Sequence, residues 1–108
     1  NSDSYLAVSL SSDGSKVAIG VPKGLNNSGI GEASVFQYGA TGWSQLGNTI
    51  YGKEINDQFG SRVSLSSDGR TVAVGAERHS GAAGPSVGQV RVFALDGSQW
   101  KQAGSDIE

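Results

Sequence analysis

At 108 residues the chain is long enough for one domain, and its 8 basic and 10 acidic residues give a net charge of −2. No basic run is present, which argues against a nucleic-acid partner, and no apolar stretch approaches the ~20 residues needed for membrane insertion. The chain has no Cys, which excludes disulfides and thiolate chemistry and leaves the redox compartment open.

The first half of the chain predicts four strands, and no stretch has the apolar spacing of an amphipathic helix. Apolar and polar residues alternate with period two, as in a half-buried strand. Turns at 12–14 and 39–42 join the strands, and a loop at 22–31 separates the second strand from the third. The predicted strands lie near 6–11, 16–21, 32–38 and 43–46, and a linker follows at roughly 47–57.

The second half of the chain repeats the first. Residues 8–14, Val-Ser-Leu-Ser-Ser-Asp-Gly, return as residues 63–69, and 10 of the 14 aligned positions from 8 to 21 are identical. The offset is 55 in this block and rises to 57 where Trp43 matches Trp100. The strands predicted in this half lie near 62–66, 71–76, 89–95 and 100–103.

A repeat of this length predicts a stacked array of equivalent units, none of which buries its apolar face alone. Four antiparallel strands per unit are typical of a β-propeller blade. We therefore predict an all-β fold with two four-stranded antiparallel blades, residues 1–50 and 51–108, in one propeller domain. Propellers have about 4–8 blades, so further chain or oligomerisation must complete the ring. A β-sandwich would use the same strands, but it does not require two sheets of matching sequence.

Two short motifs resemble the FG-GAP repeat, which is named for a Phe-Gly pair and a later Gly-Ala-Pro. Phe59-Gly60 matches the first element and Gly75-Ala76 matches part of the second. In the first copy, Gly20-Val21-Pro22 resembles the second element, and the Phe-Gly pair is reduced to Tyr5-Leu6, one residue out of phase. The resemblance covers almost the whole chain. It implies a propeller of the integrin α-subunit type.

Two other repeats share part of the pattern. Residues 63–76 look like the strand-turn-strand of a WD40 blade, but the third strand ends in Ala94-Leu95 rather than Trp-Asp. Ser-x-Asp-Gly also resembles the Asp-box of sialidases, which has one more residue between Asp and Gly and an aromatic residue after it. A fragment of a sialidase-like hydrolase propeller is therefore one alternative.

The FG-GAP resemblance also implies a calcium loop between blade strands, as many family members have. Ca²⁺ needs about six to eight oxygen ligands. The corresponding loops offer Asn26, Asn27, Ser28 and Glu32 in the first copy and Glu77, in place of the family's proline, in the second. Because the aspartate spacing is missing, we predict no cofactor and no metal site, and calcium stays an implication of the resemblance.

Asp13-Gly14 and Asp68-Gly69 occupy identical contexts in the two copies. Paired carboxylates can perform acid–base work, but a repeated Asp-Gly is typical of a turn in which the carboxylate accepts local hydrogen bonds. We interpret these four residues as structural turn residues. No nucleophile–base pair or metal cluster is evident, so we predict no catalytic residue and no enzymatic activity.

Trp43 and Trp100 open the outermost strand of each copy, with Gln45 and Gln102 two residues further on. Such tryptophans either staple neighbouring sheets together or offer a platform on which a sugar ring stacks. The second interpretation makes these four residues the binding residues of a carbohydrate-binding propeller.

The two loops that differ between the copies, 22–31 and 77–87, are the other predicted binding surface. They contribute Asn26, Asn27, Glu77, Arg78 and His79. His79 is interpreted as a solvated loop residue, and Asn26-Asn27-Ser28 fits an N-glycosylation acceptor.

The predicted function is a non-catalytic module, extracellular or at the cell surface, for adhesion, ligand binding or structural assembly. Its partner would be a protein or a glycan, and it would also associate with copies of itself or with further blades. A carbohydrate-binding propeller and a repeating subunit of an extracellular filament are the alternatives beside the hydrolase fragment.

Overall fold

A computed structural model describes residues 6–22, 30–53, 58–76 and 88–107, and these residues form two antiparallel β-sheets without a helix. The predicted all-β class is confirmed. Within the same residues no helix is long and apolar enough to cross a membrane. The first sheet contains β1 (Ala7–Leu10), β2 (Lys16–Val21), β3 (Glu32–Gly39), β4 (Gly42–Gln45) and β5 (Ile50–Tyr51). The second contains β6 (Phe59–Leu65), β7 (Thr71–Ala76), β8 (Gln89–Asp96) and β9 (Gln99–Gln102).

Each sheet is a meander in which strands that follow one another in the chain are neighbours, in the orders β1-β2-β3-β4 and β6-β7-β8-β9. The matched segments of the sequence therefore fold into matched strands. The largest shift of a strand end is at β6, which begins at Phe59 rather than near 62. A β-bulge between Phe59 and Arg62 interrupts the register with β7 there, so the side-chain alternation that predicts a strand is broken.

The first sheet has one strand more than predicted. β3 has eight residues, and β4 pairs only with its second half, from Phe36 to Gly39. β5 covers the first half by pairing Ile50 with Ala33 and Tyr51 with Glu32. The predicted linker thus supplies backbone partners that would otherwise be missing along the first half of β3.

Each sheet has two different faces, which we name by one residue type. The tryptophan face bears Val8, Leu10, Val17, Phe36 and Trp43 in the first sheet and Val63, Leu65, Val72, Phe93 and Trp100 in the second. The alanine face bears Ala18, Gly20, Ala33, Val35 and Ile50 in the first sheet and Ala73, Gly75, Val90, Val92 and Ile107 in the second.

The hydrophobic core lies between the sheets, where the tryptophan face of the second packs on the alanine face of the first. Val72, Val74 and Phe93 come from the second sheet, and Ala18 and Val35 from the first. All five are buried. Because large side chains meet small ones, the two sheets can approach closely without voids.

Candidate functional site

The packing of one sheet on the other depends on a close approach between the backbones of β2 and β6. A Cβ placed on Gly20 of β2 would lie 2.2 Å from the carbonyl oxygen of Gly60 in β6. Beside this contact, the backbone N–H of Leu65 donates a hydrogen bond of 3.0 Å to the hydroxyl of Ser9. Glycine is thus required at position 20 by space, since any side chain would push the sheets apart.

At the opposite edges of the sheets, Trp100 of β9 holds the second sheet on the first. Its indole N–H donates to the carbonyl of Leu46 at 2.9 Å, and its backbone N–H donates to Oδ1 of Asn48 at 2.6 Å. The ring lies on Gly47, where an added Cβ would be 2.7 Å from the indole Cδ1. Gly47 also has a φ of 78°, which other residues rarely adopt. Trp100 therefore occupies a pocket fitted to one ring.

The tryptophan face of the first sheet is exposed, whereas the tryptophan face of the second sheet is covered by the first sheet. Trp43 is 51% exposed and Trp100 is 4% exposed; Leu10 is 60% exposed and Leu65 is 8% exposed. The Tyr38 and Trp43 rings lie 5.3 Å apart at an angle of 58°. This aromatic pair, with Val8 and Leu10, forms an exposed apolar surface on a regular sheet.

The alanine face of the second sheet is also open and contains a groove of about 500 Å³. Its floor is formed by small residues of β6 and β7, and Ile107 closes one side by two backbone hydrogen bonds with Val90, of 2.7 and 2.8 Å. Ile107 is 58% exposed, whereas Ile50, at the same place in the first sheet, is 5% exposed. The lining includes Arg62, Ser64, Ala73, Gly75, Val90 and Ile107.

A cluster of polar side chains surrounds Asp106 at the edge of the second sheet. Its carboxylate accepts hydrogen bonds from Gln102, from Lys53 at 2.9 Å and from Gln89 at 3.1 Å. Arg91 lies 3.7 Å away. The Gln102 hydrogen bond, followed by the Lys53 hydrogen bond, holds the pKa of Asp106 below its usual value. Because Lys53 follows β5, this cluster ties the linker to the end of the second sheet.

Arg91 reaches this cluster from the sheet interface. Its guanidinium lies 5.1 Å from the centre of the Phe59 ring and 5.0 Å from that of Phe93, and its Nε donates to the side-chain oxygen of Gln102 at 3.2 Å. Burial lowers the pKa of Arg91, and the charge of Asp106 opposes that shift. The arginine is therefore held by two rings and an acid.

The first sheet has a neutral counterpart of this cluster at an offset of 57. Gln45 donates to the hydroxyl of Thr49 at 2.9 Å, and Ser34 donates to the same hydroxyl at 3.5 Å. These three residues match Gln102, Asp106 and Arg91. Both glutamines that were predicted as binding residues thus have partners within their own sheet.

The turn aspartates lie in the arrangement of turn formers. Oδ1 of Asp13 accepts hydrogen bonds from the backbone N–H of Ser15 at 2.9 Å, the hydroxyl of Ser15 at 2.8 Å and the hydroxyl of Ser11 at 3.0 Å. These bonds, the backbone one first, lower the pKa of Asp13 to about 2. Oδ1 of Asp68 accepts from Ser66 at 2.7 Å and from the N–H of Arg70 at 3.0 Å, and its pKa is lowered for the same reason. Gly14 and Gly69 have φ values of 76° and 74°.

The predicted residues of the variable loops fall outside the described part of the chain: Asn26, Asn27, Glu77, Arg78 and His79. The glycosylation candidate Asn26 and most of the calcium loops are among them. In the part that is described, no three His, Cys, Asp or Glu side chains come together.

Several residues at the sheet interface were not predicted from the sequence. Leu46, Asn48 and Gly47 form the seat of Trp100, and Ile107 completes the groove. One signal in the sequence was available, because Gly47 and Gly104 match at the offset of 57. They have φ values of 78° and 79°.

Comparison of the chain with protein-family models and with curated protein sequences finds no match. The function is therefore inferred from the fold and from the four faces described above.

Proposed function

We propose that the two sheets are consecutive blades of a β-propeller of the FG-GAP type. The observation that carries this proposal is the way they pack, with unlike faces in contact and like faces pointing in one direction. Two sheets of a sandwich bury one face each and need no further neighbour. Here the buried face of the second sheet corresponds to the open face of the first, which is the packing of a repeat array.

The two motifs that resemble FG-GAP support this proposal by their positions. Phe59 is fully buried and pairs with Ala76 across β6 and β7, so the Phe-Gly and Gly-Ala elements are neighbours in the sheet. Gly60 has a φ of 94° and faces Gly20 of the first sheet. Both motifs thus serve the bulge and the close contact between blades rather than a reaction.

As to activity, we propose a non-catalytic extracellular module for adhesion, ligand binding or structural assembly. The aspartates that resemble an Asp-box are engaged in their own turns, which supports binding over hydrolysis. The experiment is a panel of glycans and immobilised extracellular proteins, assayed for binding, in parallel with chromogenic glycosides, assayed for turnover. We expect saturable binding without turnover. Glycoside turnover that is lost in both Asp13→Asn and Asp68→Asn would contradict the proposal and favour the hydrolase fragment.

The exposed Tyr38–Trp43 pair favours carbohydrate binding as a second candidate function. Two tilted rings at 5.3 Å on an open sheet can stack on the apolar side of a sugar ring. Trp100 is covered by the first sheet, so this candidate depends on Trp43. If it holds, Trp43→Ala abolishes glycan binding and Trp43→Phe retains part of it, while the circular dichroism spectrum of each variant stays unchanged. Equal binding by Trp43→Ala and the unchanged chain would rule it out.

A further inference from the structure

We propose that copies of this chain associate head to tail. The tryptophan face of the first sheet in one copy packs on the alanine face of the second sheet in the next copy. This inference rests on the proposed function, because it continues the stack of blades from one chain into another.

The two open faces repeat the chemistry of the two faces that already meet inside the chain. On the tryptophan face, Val8 and Leu10 take the places of Val63 and Leu65, and Trp43 takes that of Trp100. On the alanine face, the matched residues are Ala18 and Ala73, Gly20 and Gly75, Ala33 and Val90, Val35 and Val92, and Ile50 and Ile107. Apart from the half-buried Val63, each set is buried in one sheet, and its members are more exposed in the other. The open tryptophan face therefore resembles the face that the first sheet covers, and the open alanine face resembles the face that covers it.

Two of the three positions that seat Trp100 are matched on the second sheet. In the first sheet, the N–H of Leu46 bonds to the carbonyl of Val35 at 2.7 Å and places the Leu46 carbonyl under the Trp100 indole. The same bond of 2.7 Å joins the N–H of Ala103 to the carbonyl of Val92. By this equivalence the indole N–H of Trp43 donates to the carbonyl of Ala103 in the next copy.

The residue after Ala103 is the second position of this seat. Gly104 has a φ of 79°, close to the 78° of Gly47, on which the Trp100 ring lies. A Cβ at Gly104 would meet no heavy atom within 4 Å, so the space that a ring needs is open. The second sheet thus offers the carbonyl acceptor and the room that the Trp100 indole uses in the first sheet, and Ser105 stands at the place of Asn48.

The shapes of the faces favour a second copy in this orientation over a symmetric dimer. Two tryptophan faces would bring large rings against large rings, and two alanine faces would leave a gap at the groove. A tryptophan face on an alanine face fills the groove of about 500 Å³ with bulky side chains. Such a contact is heterologous, so it grows until a ring closes or a filament forms.

Two variants block one surface each. Leu10→Lys places a charge on the exposed tryptophan face, and Val90→Lys places one on the exposed alanine face. Ser44→Lys is the matched control, because Ser44 is exposed on β4 and lies on neither surface. Light scattering gives the mass of each chain alone and of the two blocked variants mixed, and circular dichroism verifies that each variant is folded.

We expect assemblies of several chains for the unchanged protein and for Ser44→Lys, and single chains for each blocked variant. Mixing Leu10→Lys with Val90→Lys is expected to give two-chain complexes that grow no further, since each partner retains one working surface. Two outcomes would overturn the inference: an unchanged protein that stays a single chain, or a Val90→Lys variant that dimerises alone through its tryptophan faces. A folded single chain leaves the blade proposal standing, because the packing of the two sheets within the chain does not depend on a second copy.

Discussion

Asp13 and Asp68 show how an identical local context gives an identical local structure. Each carboxylate accepts bonds from a serine before it and a backbone N–H after it, within one turn. Such contacts depend on neighbours two residues away, so a repeated Ser-x-Asp-Gly is sufficient to predict them.

Because the pKa of Asp13 is lowered, part of the stability of the fold is lost at acidic pH. The usual pKa is 3.8 and the pKa in the fold is about 2, because the folded state stabilises the ionised carboxylate of Asp13. The contribution is complete above the usual value and is lost as the pH falls towards 2. We predict that Asp13→Asn flattens the fall of the thermal midpoint between these two pH values.

A matched control for this prediction is Asp96→Asn. Asp96 lies on the surface beside an exposed Lys101 at 3.5 Å; it precedes Gly97, but Ala94 replaces the serine that donates to Asp13 and Asp68 in the repeated turns. Melting curves recorded across the acid range test the difference. Parallel curves for Asp13→Asn and the unchanged chain would show that the turn hydrogen bonds do not favour the charged carboxylate.

Trp43 and Trp100 show that the same residue at the same place in the repeat can have two different environments. From the sequence, each tryptophan could either staple two sheets together or stack on a sugar, and the sequence could not tell which role belongs to which residue. The choice depends on whether a second sheet covers the face, which no local pattern contains.

These environments predict unequal losses of stability. Trp100→Ala removes a buried ring and a hydrogen bond to Leu46, and should cost about 3–5 kcal/mol. Trp43→Ala removes an exposed ring, and should change the free energy of unfolding of a single chain by no more than about 0.5 kcal/mol. Urea unfolding at low protein concentration measures both. Similar losses would contradict the packing of the second sheet on the first.

The strands differ in how far their sequences determine them. Eight strands carry alternation or a β-branched run next to an Asp-Gly or Gly-containing turn, and these local signals predicted them. β5 has only two residues, and it exists because half of β3 lacks a partner on that side. The bulge in β6 breaks the alternation of side chains, so the start of that strand was missed; Gly60, within the bulge, lies against Gly20 of the other sheet.

The contact between β2 and β6 is tested by a pair of equivalent glycines. Gly20→Ala places a methyl group 2.2 Å from the Gly60 carbonyl, which should separate the sheets and cost at least about 1–3 kcal/mol. Gly75→Ala, at the matching place in β7, meets its nearest heavy atom at 3.5 Å in Arg62. It should be neutral or stabilising by up to about 1 kcal/mol, because alanine loses less backbone entropy than glycine.

Chemical denaturation of both variants decides this prediction. The two substitutions are chemically identical and lie in the same repeat position, so propensity cancels in the comparison. If Gly75→Ala lost as much stability as Gly20→Ala, the loss would come from the strand itself and not from the neighbouring sheet.

At the scale of the whole molecule, the described residues form two matched sheets that pack on each other, and each sheet leaves one face exposed. The duplicated sequence predicted a stack of equivalent units, and the structure adds the direction of that stack. The tryptophan face of the second sheet rests on the alanine face of the first. If a ring has about 4–8 blades, it would take about two to four copies of two blades to close it.

The variable loops contribute differently to these proposals. They differ between the copies and so were predicted to supply ligand contacts, and they lie outside the described residues. What the described residues offer is apolar surface on regular sheets, and this surface repeats an interface already present. Assembly is therefore the part of the proposed function that the described residues support most.

The mass of the unchanged chain in solution, measured by light scattering over a range of concentrations, tests the proposed association of copies most directly. Unlike faces that are open at both ends should find each other, so we predict that the mass rises from that of one chain to a multiple of it. In parallel, the emission of Trp43 in a Trp100→Phe variant should shift to shorter wavelength as the ring becomes covered. A mass equal to one chain at every concentration, with Trp43 emission that stays typical of an exposed indole, would contradict it.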